Sequence, residues 1–173
     1  MEIRINKIKY ERKSGNVVID YDQLYASKDD EVKVVLKSSD KPLPEFIANL
    51  DQLGRFVEEI CELPEGYCFQ AEIRGVSYSW SNEIMGAVIT ALVPIASANS
   101  PVVINTPHLP SASYSEGSEA PILPYECSRI LKLLMGEARK YITGDREKSS
   151  QMQMSFDEAT DEANAMSSNA NMP

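Results

Sequence analysis

Residues 67–108 read YCFQAEIRGVSYSWSNEIMGAVITALVPIASANSPVVINTPH, the longest run rich in β-branched and aromatic residues in this 173-residue chain. Tyr67, Phe69, Ala71 and Ile73 alternate with Cys68, Gln70, Glu72 and Arg74, which is the period of a half-buried strand. At Arg74-Gly75 the apolar phase slips by one residue, and Val76, Tyr78 and Trp80 carry it on. An extra residue beside a glycine reads as a β-bulge. Ser81-Asn82 reads as a hairpin turn, since both residues tolerate turn geometry. From Ile84 to Val93 both phases are apolar, which predicts a central strand buried on both faces. Pro94 and the small polar residues 97–100 then lead to a short strand over residues 102–105. Three strands in meander order follow.

Upstream, Ile3 and Ile5 alternate with polar neighbours, Ile8 and Tyr10 take over the phase, and Lys13-Ser14-Gly15-Asn16 is a turn cluster. Val17, Ile19 and Tyr21 restart the alternation, so the first two strands are expected to pair as a hairpin. A turn at residues 27–30 precedes a third strand carrying Val32, Val34 and Leu36. Phe46, Leu50, Leu53, Val57 and Ile60 recur at spacings of three and four, one face of a helix that Leu63-Pro64-Glu65-Gly66 stops. Downstream, residues 106–124 form a connection rich in Pro, Ser and Gly, long enough to be functional or disordered. Cys127, Ile130, Leu131, Leu134, Ala138 and Tyr141 mark the buried face of a last helix, which Gly144 ends.

The body, residues 1–144, is thus expected to be an α+β domain in β-β-β-α-β-β-β-α order, with two helices packed on antiparallel sheet. Residues 145–173 are polar, and free of Lys and Arg after Lys148. They read as a disordered acidic tail, because they offer too little apolar surface to offset their ordering entropy.

The formal net charge of −9 makes the surface repel phosphate on average, which argues against tight DNA binding by bulk charge and leaves room only for a local basic patch. No apolar run reaches the roughly 20 residues of a membrane helix, and the first residues lack a signal-peptide core, so a cytoplasmic location is expected. Three scattered cysteines and one histidine predict neither a zinc site nor a disulfide framework.

Candidate chemistry is sparse. His108, with Ser111, Ser113, Tyr114 or Ser115 nearby in sequence, supplies at most a general base; with no second His and no G-x-S-x-G motif, a loop-capping role is the expectation. Asp20, Asp22 and Glu31 suggest metal carboxylates, yet no spacing implies a third ligand, so a solvated edge is expected. Tyr67, Phe69, Tyr78 and Trp80 suggest a base-stacking platform, against which packing within the sheet is the preferred reading. No cofactor, metal or catalytic residue is predicted, and the chain reads as non-enzymatic.

Three segments carry a family resemblance: EICELPEGY (59–67), RGVSYSWSNEIMGAVITAL (74–92) and NSPVVINTPHLPSASYSE (99–116). They resemble, in the same order, segments of a family of small uncharacterised proteins from bacterial phages and prophages, with the likeness running from about Val35 to Gly144. The resemblance implies a viral or prophage protein at work in a bacterial cell, expressed with replication or recombination genes, and brings no catalytic residues. In the tail, Gln151-Met152-Gln153-Met154-Ser155-Phe156 is similar to the short peptide by which bacterial replication proteins bind the DNA sliding clamp. The likeness implies partner-binding roles for Gln151, Met152, Met154 and Phe156, with Met standing where Leu is usual. The expected function is that of an accessory protein of DNA replication or recombination recruited through this peptide. A single-stranded DNA-binding module and an inhibitor of a host enzyme or defence system are the alternatives.

Overall fold

The computed structural model describes residues 1–27 and 30–147. The chain begins with β1 (Glu2–Glu11), which turns at Gly15 (φ 73°) into β2 (Asn16–Leu24). β3 (Glu31–Ser38) follows and pairs with β2 from Val17 to Leu24. Two short helices, α1 (Pro44–Asp51) and α2 (Gly54–Ile60), lead to β4 (Glu72–Ser81), β5 (Ile84–Val93), β6 (Val102–Asn105) and the two-residue β7 (Leu109–Pro110). The long helix α3 (Tyr125–Ile142) comes last. All pairings are antiparallel, in the order β3-β2-β1-β4-β5-β6, with β7 pairing β5 as well. The α+β architecture and the β4-β5-β6 meander are as the sequence predicts.

The N-terminal and C-terminal halves of the sheet meet at a short seam. β1 and β4 pair only through Lys7–Ser77, Ile8–Val76 and Lys9–Gly75. A bulge flanks the seam on each strand, at Asn6 in β1 and at Arg74 in β4. The second is the bulge that the phase slip at Arg74-Gly75 predicts. Beyond the seam the strands diverge, and side chains satisfy carbonyls that a ladder would otherwise take. The Trp80 indole N–H donates to Ile5 O (3.4 Å) and Arg139 Nε donates to Ile3 O (3.2 Å).

One face of the sheet is covered by the helices. Ile5, Ile8, Ile19, Val76 and Ile89 point into a core completed by Phe46, Leu50, Leu53, Val57, Ile130, Leu131 and Leu134. Tyr10 packs edge-to-face on Phe46 and Phe46 packs tilted on Tyr141, with ring centroids 6.3 and 6.1 Å apart, and the Tyr141 hydroxyl donates to Asp40 O (2.6 Å). The α3 face read from sequence is the buried one throughout.

Four expectations are corrected. The helix predicted over Phe46 to Ile60 is broken in two at Gln52-Leu53, where Leu53 N–H bonds to Leu50 O in a tightened turn before Gly54, a poor helix former. Leu53 and Val57 stay buried, so the periodicity survives the break. Tyr67 to Gln70 form turns rather than strand, and Phe69 is 89% exposed. Gly66 (φ 84°) reverses the chain there, and the Glu58 carboxylate accepts from the N–H groups of Gly66 (3.2 Å) and Cys68 (2.7 Å), which holds the segment as a turn. The β4–β5 turn is Asn82-Glu83 rather than Ser81-Asn82, since Ser81 still pairs with Ile84. Finally, β5 is buried on one face only: Met85, Ala87, Ile89, Ala91 and Val93 are buried, while Val88, Thr90 and Leu92 are half-buried.

The tight hairpin places Glu83 at φ 64°, a left-handed conformation that costs a side chain about 1 kcal/mol and glycine little. Glu83→Gly is therefore expected to raise stability by about 1 kcal/mol, read as a higher urea midpoint with an unchanged slope. The connection after β6 is anchored to the sheet. Thr106 is buried, its hydroxyl accepts from Ile89 N–H (2.9 Å), Ser111 N–H reaches Met85 O (2.7 Å), and Leu123 N–H reaches Pro110 O (2.8 Å). Asp145 to Glu147, expected as the start of the disordered tail, are instead held to the body, since Asp145 N–H reaches Lys140 O (2.9 Å), Arg146 reaches Asp40 (2.7 Å) and Glu147 N–H reaches Lys41 O (2.9 Å). Residues 148–173, with the peptide Gln151 to Phe156, lie outside the described residues.

Candidate functional site

With α1, α2 and α3 on one side, the opposite face of the sheet carries no helix among the described residues. Strand alternation and register decide what it presents. One ladder across it runs Lys37–Val18–Lys9–Gly75–Thr90–Asn105. The next runs Val35–Asp20–Lys7–Ser77–Val88, and a third sets Asp22 between Lys33 and Arg4. Asp20 and Asp22 thus stand opposite cations in the second and third ladders, whereas the first holds two lysines and no carboxylate.

The face is concave where β1, β4, β5 and β6 meet, forming a trough of about 470 Å³. Its cations are Lys7, Lys9 and Arg74, its uncharged polar groups Ser77, Thr90 and Asn105, and its apolar floor Val88, Leu92 and Val103. Gly75 lines the trough between Lys9 and Thr90, and its lack of a side chain lets the β1 backbone at Ile8 and Lys9 approach β4 closely. The bulge at Arg74 re-aims that residue to the rim, where its guanidinium lies 3.6 Å from Glu11. Lys9 has no ion-pair partner among the described residues. No described carboxylate lines the trough, in a chain with 26 acidic and 17 basic residues. An acidic protein therefore keeps a locally positive surface, with hydroxyl and amide groups beside it and an apolar base below. Such a surface holds an extended anion along its charges and apolar groups along its floor. The Thr90 hydroxyl donates to the Asn105 side-chain oxygen (2.7 Å), leaving the Asn105 amide N–H₂ as a donor for a ligand.

A second concavity, of about 420 Å³, lies where β1 and β4 diverge, between Glu2, Arg4, Trp80, Glu83 and Arg139. Its charges are of both signs, and Trp80 and Arg139 are already engaged there by backbone carbonyls. It is a plugged split in the sheet.

The residues singled out in the sequence fall as follows. His108 lies over Gly86 on the helix-free face, and its Nε2 shares a 2.6 Å hydrogen bond with Ser79 Oγ. Ser111, Ser113, Tyr114 and Ser115 make no hydrogen bond to it, and no described carboxylate bonds the ring. A base without an orienting group, beside an exposed serine, is a latch that pins the loop. Any side chain at position 86 would collide with the imidazole, which explains an isolated glycine within the strand. His108→Ala is expected to cost no more than about 1 kcal/mol, the net worth of an exposed hydrogen bond, and to leave ligand binding by the trough unchanged. Thermal melts and ligand titration check both.

Asp20 and Asp22 do not form the expected solvated edge: β2 is an interior strand, on whose helix-free face Asp20 is half-buried and Asp22 buried. Of the three, only Glu31, at the start of the edge strand β3, is exposed, and the described residues contain no group of three metal-ligating side chains. Tyr78 and Trp80 face the helical side, with the Tyr78 hydroxyl donating to Leu131 O (3.0 Å). Tyr67 and Phe69 sit on the exposed turn before β4. The four aromatics therefore form no stacking platform. The three thiols are free, and burial pushes Cys127 up to about 12, away from nucleophilic use. The partner-binding set Gln151, Met152, Met154 and Phe156 is outside the described residues, so the body's trough is the site the fold itself builds. It went unread in the sequence because its half-buried Val88, Thr90 and Leu92 look like a second buried phase.

Comparison with family models, curated proteins and solved structures finds no match in any of the three. No described helix is long and apolar enough to cross a membrane.

Proposed function

We propose that this chain is a non-enzymatic accessory protein of DNA metabolism, which holds single-stranded nucleic acid in the trough of its helix-free sheet face. The observation that carries the reading is the trough itself: three cations and no described carboxylate around an apolar floor, in a chain of net charge −9. A phosphodiester backbone meets Lys7, Lys9 and Arg74, while the edges and faces of unpaired bases meet Asn105, Thr90, Val88 and Leu92. With the sheet aromatics turned toward the helices, stacking contributes little, so binding is sequence-tolerant and weak, with a dissociation constant of about 10–100 µM. The setting in a phage or prophage rests on the segment likeness, and the Gln151–Phe156 peptide is the part that recruits the protein to a sliding clamp.

Anisotropy of a labelled oligothymidylate, titrated with the full chain at rising salt, tests the trough. Three phosphate contacts give a slope of log K against log salt of about −2. Lys9→Glu is expected to weaken binding about tenfold, and Lys132→Glu on α3, outside the trough, to leave it unchanged. Absence of saturable binding at low salt, or equal loss in both variants, overturns the reading. Recruitment is tested separately by titrating a peptide of residues 149–161 against a bacterial sliding clamp. Saturable micromolar binding that is lost in the Gln151→Ala/Met154→Ala/Phe156→Ala version supports it; equal or absent binding by both peptides rules it out.

A further inference from the structure

We propose that the acidic segment beginning at Phe156 folds back onto the trough of its own molecule and competes there with the anionic ligand. The proposal rests on reading the trough as an anion-binding surface. Two independent features carry it, and the first is chemical complementarity. Met154-Ser155-Phe156-Asp157-Glu158 sets two apolar residues ahead of two carboxylates, with Asp161 and Glu162 four residues further along the sequence. The trough offers the matching arrangement, with Val88, Leu92 and Val103 as floor and Lys7, Lys9 and Arg74 as rim. After Lys148 the chain contains no cation that would neutralise these carboxylates locally.

The second feature is where the described chain ends. Arg146 Nη1 donates to Ser38 Oγ (3.1 Å) and to Asp40 Oδ2 (2.7 Å), and Glu147 N–H donates to Lys41 O (2.9 Å). A salt bridge of 2.9 Å joins Lys41 to Glu147 as well. The exit point is therefore pinned at the C-terminal end of β3, one to four residues past Lys37, and Lys37 opens the carboxylate-free ladder that crosses the sheet to Lys9 and Thr90. Strands lie about 4.8 Å apart, so Lys9 is about 10 Å and Thr90 about 19 Å from Lys37 across the sheet. The ten residues from Glu147 to Asp157 span about 17 Å as a coil and about 33 Å when extended. The first carboxylates reach the rim with chain to spare, including the turn around the end of the sheet. A tether of this length presents the segment at an effective concentration of several millimolar, so even a millimolar intrinsic affinity leaves the trough mostly occupied. Ligand affinity then falls about fivefold for as long as the segment is docked.

The test uses the isotope-labelled full chain beside its D157N/E158Q/D161N/E162Q variant, which leaves the described body untouched. Comparison of backbone amide shifts at low salt is expected to show differences at Lys7–Lys9, Gly75–Ser77, Thr90 and Asn105, independent of protein concentration and erased by salt. Identical trough amides in the two proteins overturn the proposal, whatever the oligonucleotide does. Differences that grow with protein concentration overturn the intramolecular form, because a second copy's segment is then the occupant. In the same samples the variant is expected to bind oligothymidylate about fivefold tighter. Tail-dependent shifts without oligonucleotide binding by either protein would retain the docking and remove the nucleic-acid reading; binding by both with equal affinity would retain the reading and remove the competition.

Discussion

Gly75→Ala is expected to cost about 3 kcal/mol or more, the largest effect of any single methyl added to this protein. A Cβ at position 75 would fall inside contact distance of the Ile8 carbonyl oxygen and lie 3.2 Å from Lys9 Cα, and both neighbours are backbone. Side chains rotate away from an inserted methyl group; a paired strand does not. The strand that would have to move is β1, at the seam where three residue pairs join the halves of the sheet. Overpacking a well-packed site costs about 1–3 kcal/mol even where neighbours adjust, and here the adjustment breaks the seam. Gly136→Ala on α3, where an added Cβ meets nothing within 4 Å, is the control. It is expected to be neutral or to stabilise by up to about 1 kcal/mol through helix propensity. Urea denaturation of both variants decides the matter, and a Gly75→Ala midpoint equal to the parent's would mean that the seam is not packed as described.

Ile89→Ala is expected to cost about 2–5 kcal/mol, as removal of a large aliphatic side chain from a closed core does. Ile89 is 0% exposed, pairs with Val76 across β4, and sits where the helices meet the sheet. Its backbone is held from the other side too, the N–H by the Thr106 hydroxyl and the carbonyl by Thr106 N–H (3.0 Å). Because the backbone is fixed on both sides, the site cannot collapse around the vacated volume, which places the cost toward the upper part of the range. A loss below about 0.5 kcal/mol in denaturant melts would contradict the central placing of β5.

Much of this fold is legible in the sequence because local chemistry and tertiary burial agree. The α3 stripe, the first hairpin at Gly15 and the bulge at Arg74-Gly75 each arise from a periodicity or a turn residue that packing reinforces. The departures occur where a distant partner decides. Tyr67 and Phe69 alternate as a strand does, yet the Glu58 carboxylate, eight and ten residues before Gly66 and Cys68, holds their backbone in turns. Val88 and Leu92 are as apolar as core residues, and only the placing of α1, α2 and α3 on the other face leaves them half-buried. The trough was illegible for the same reason. Arg74 lies more than sixty residues after Lys7 and Lys9, and a pair of lysines and a distant arginine in an acidic chain carry no local signal until the seam brings them together. His108 was visible in the sequence, but its partner Ser79 was not, being 29 residues away across a hairpin.

A backbone amide map of the isotope-labelled full chain, titrated with a short oligothymidylate at low salt, tests most directly whether the trough holds single-stranded nucleic acid. Saturable shifts are expected to cluster at Lys7–Lys9, Arg74–Ser77, Thr90–Leu92 and Val103–Asn105, and to weaken steeply as salt rises. Shifts confined to the helical layer or to the cleft between Arg4 and Trp80, or no shifts at any concentration, would contradict it.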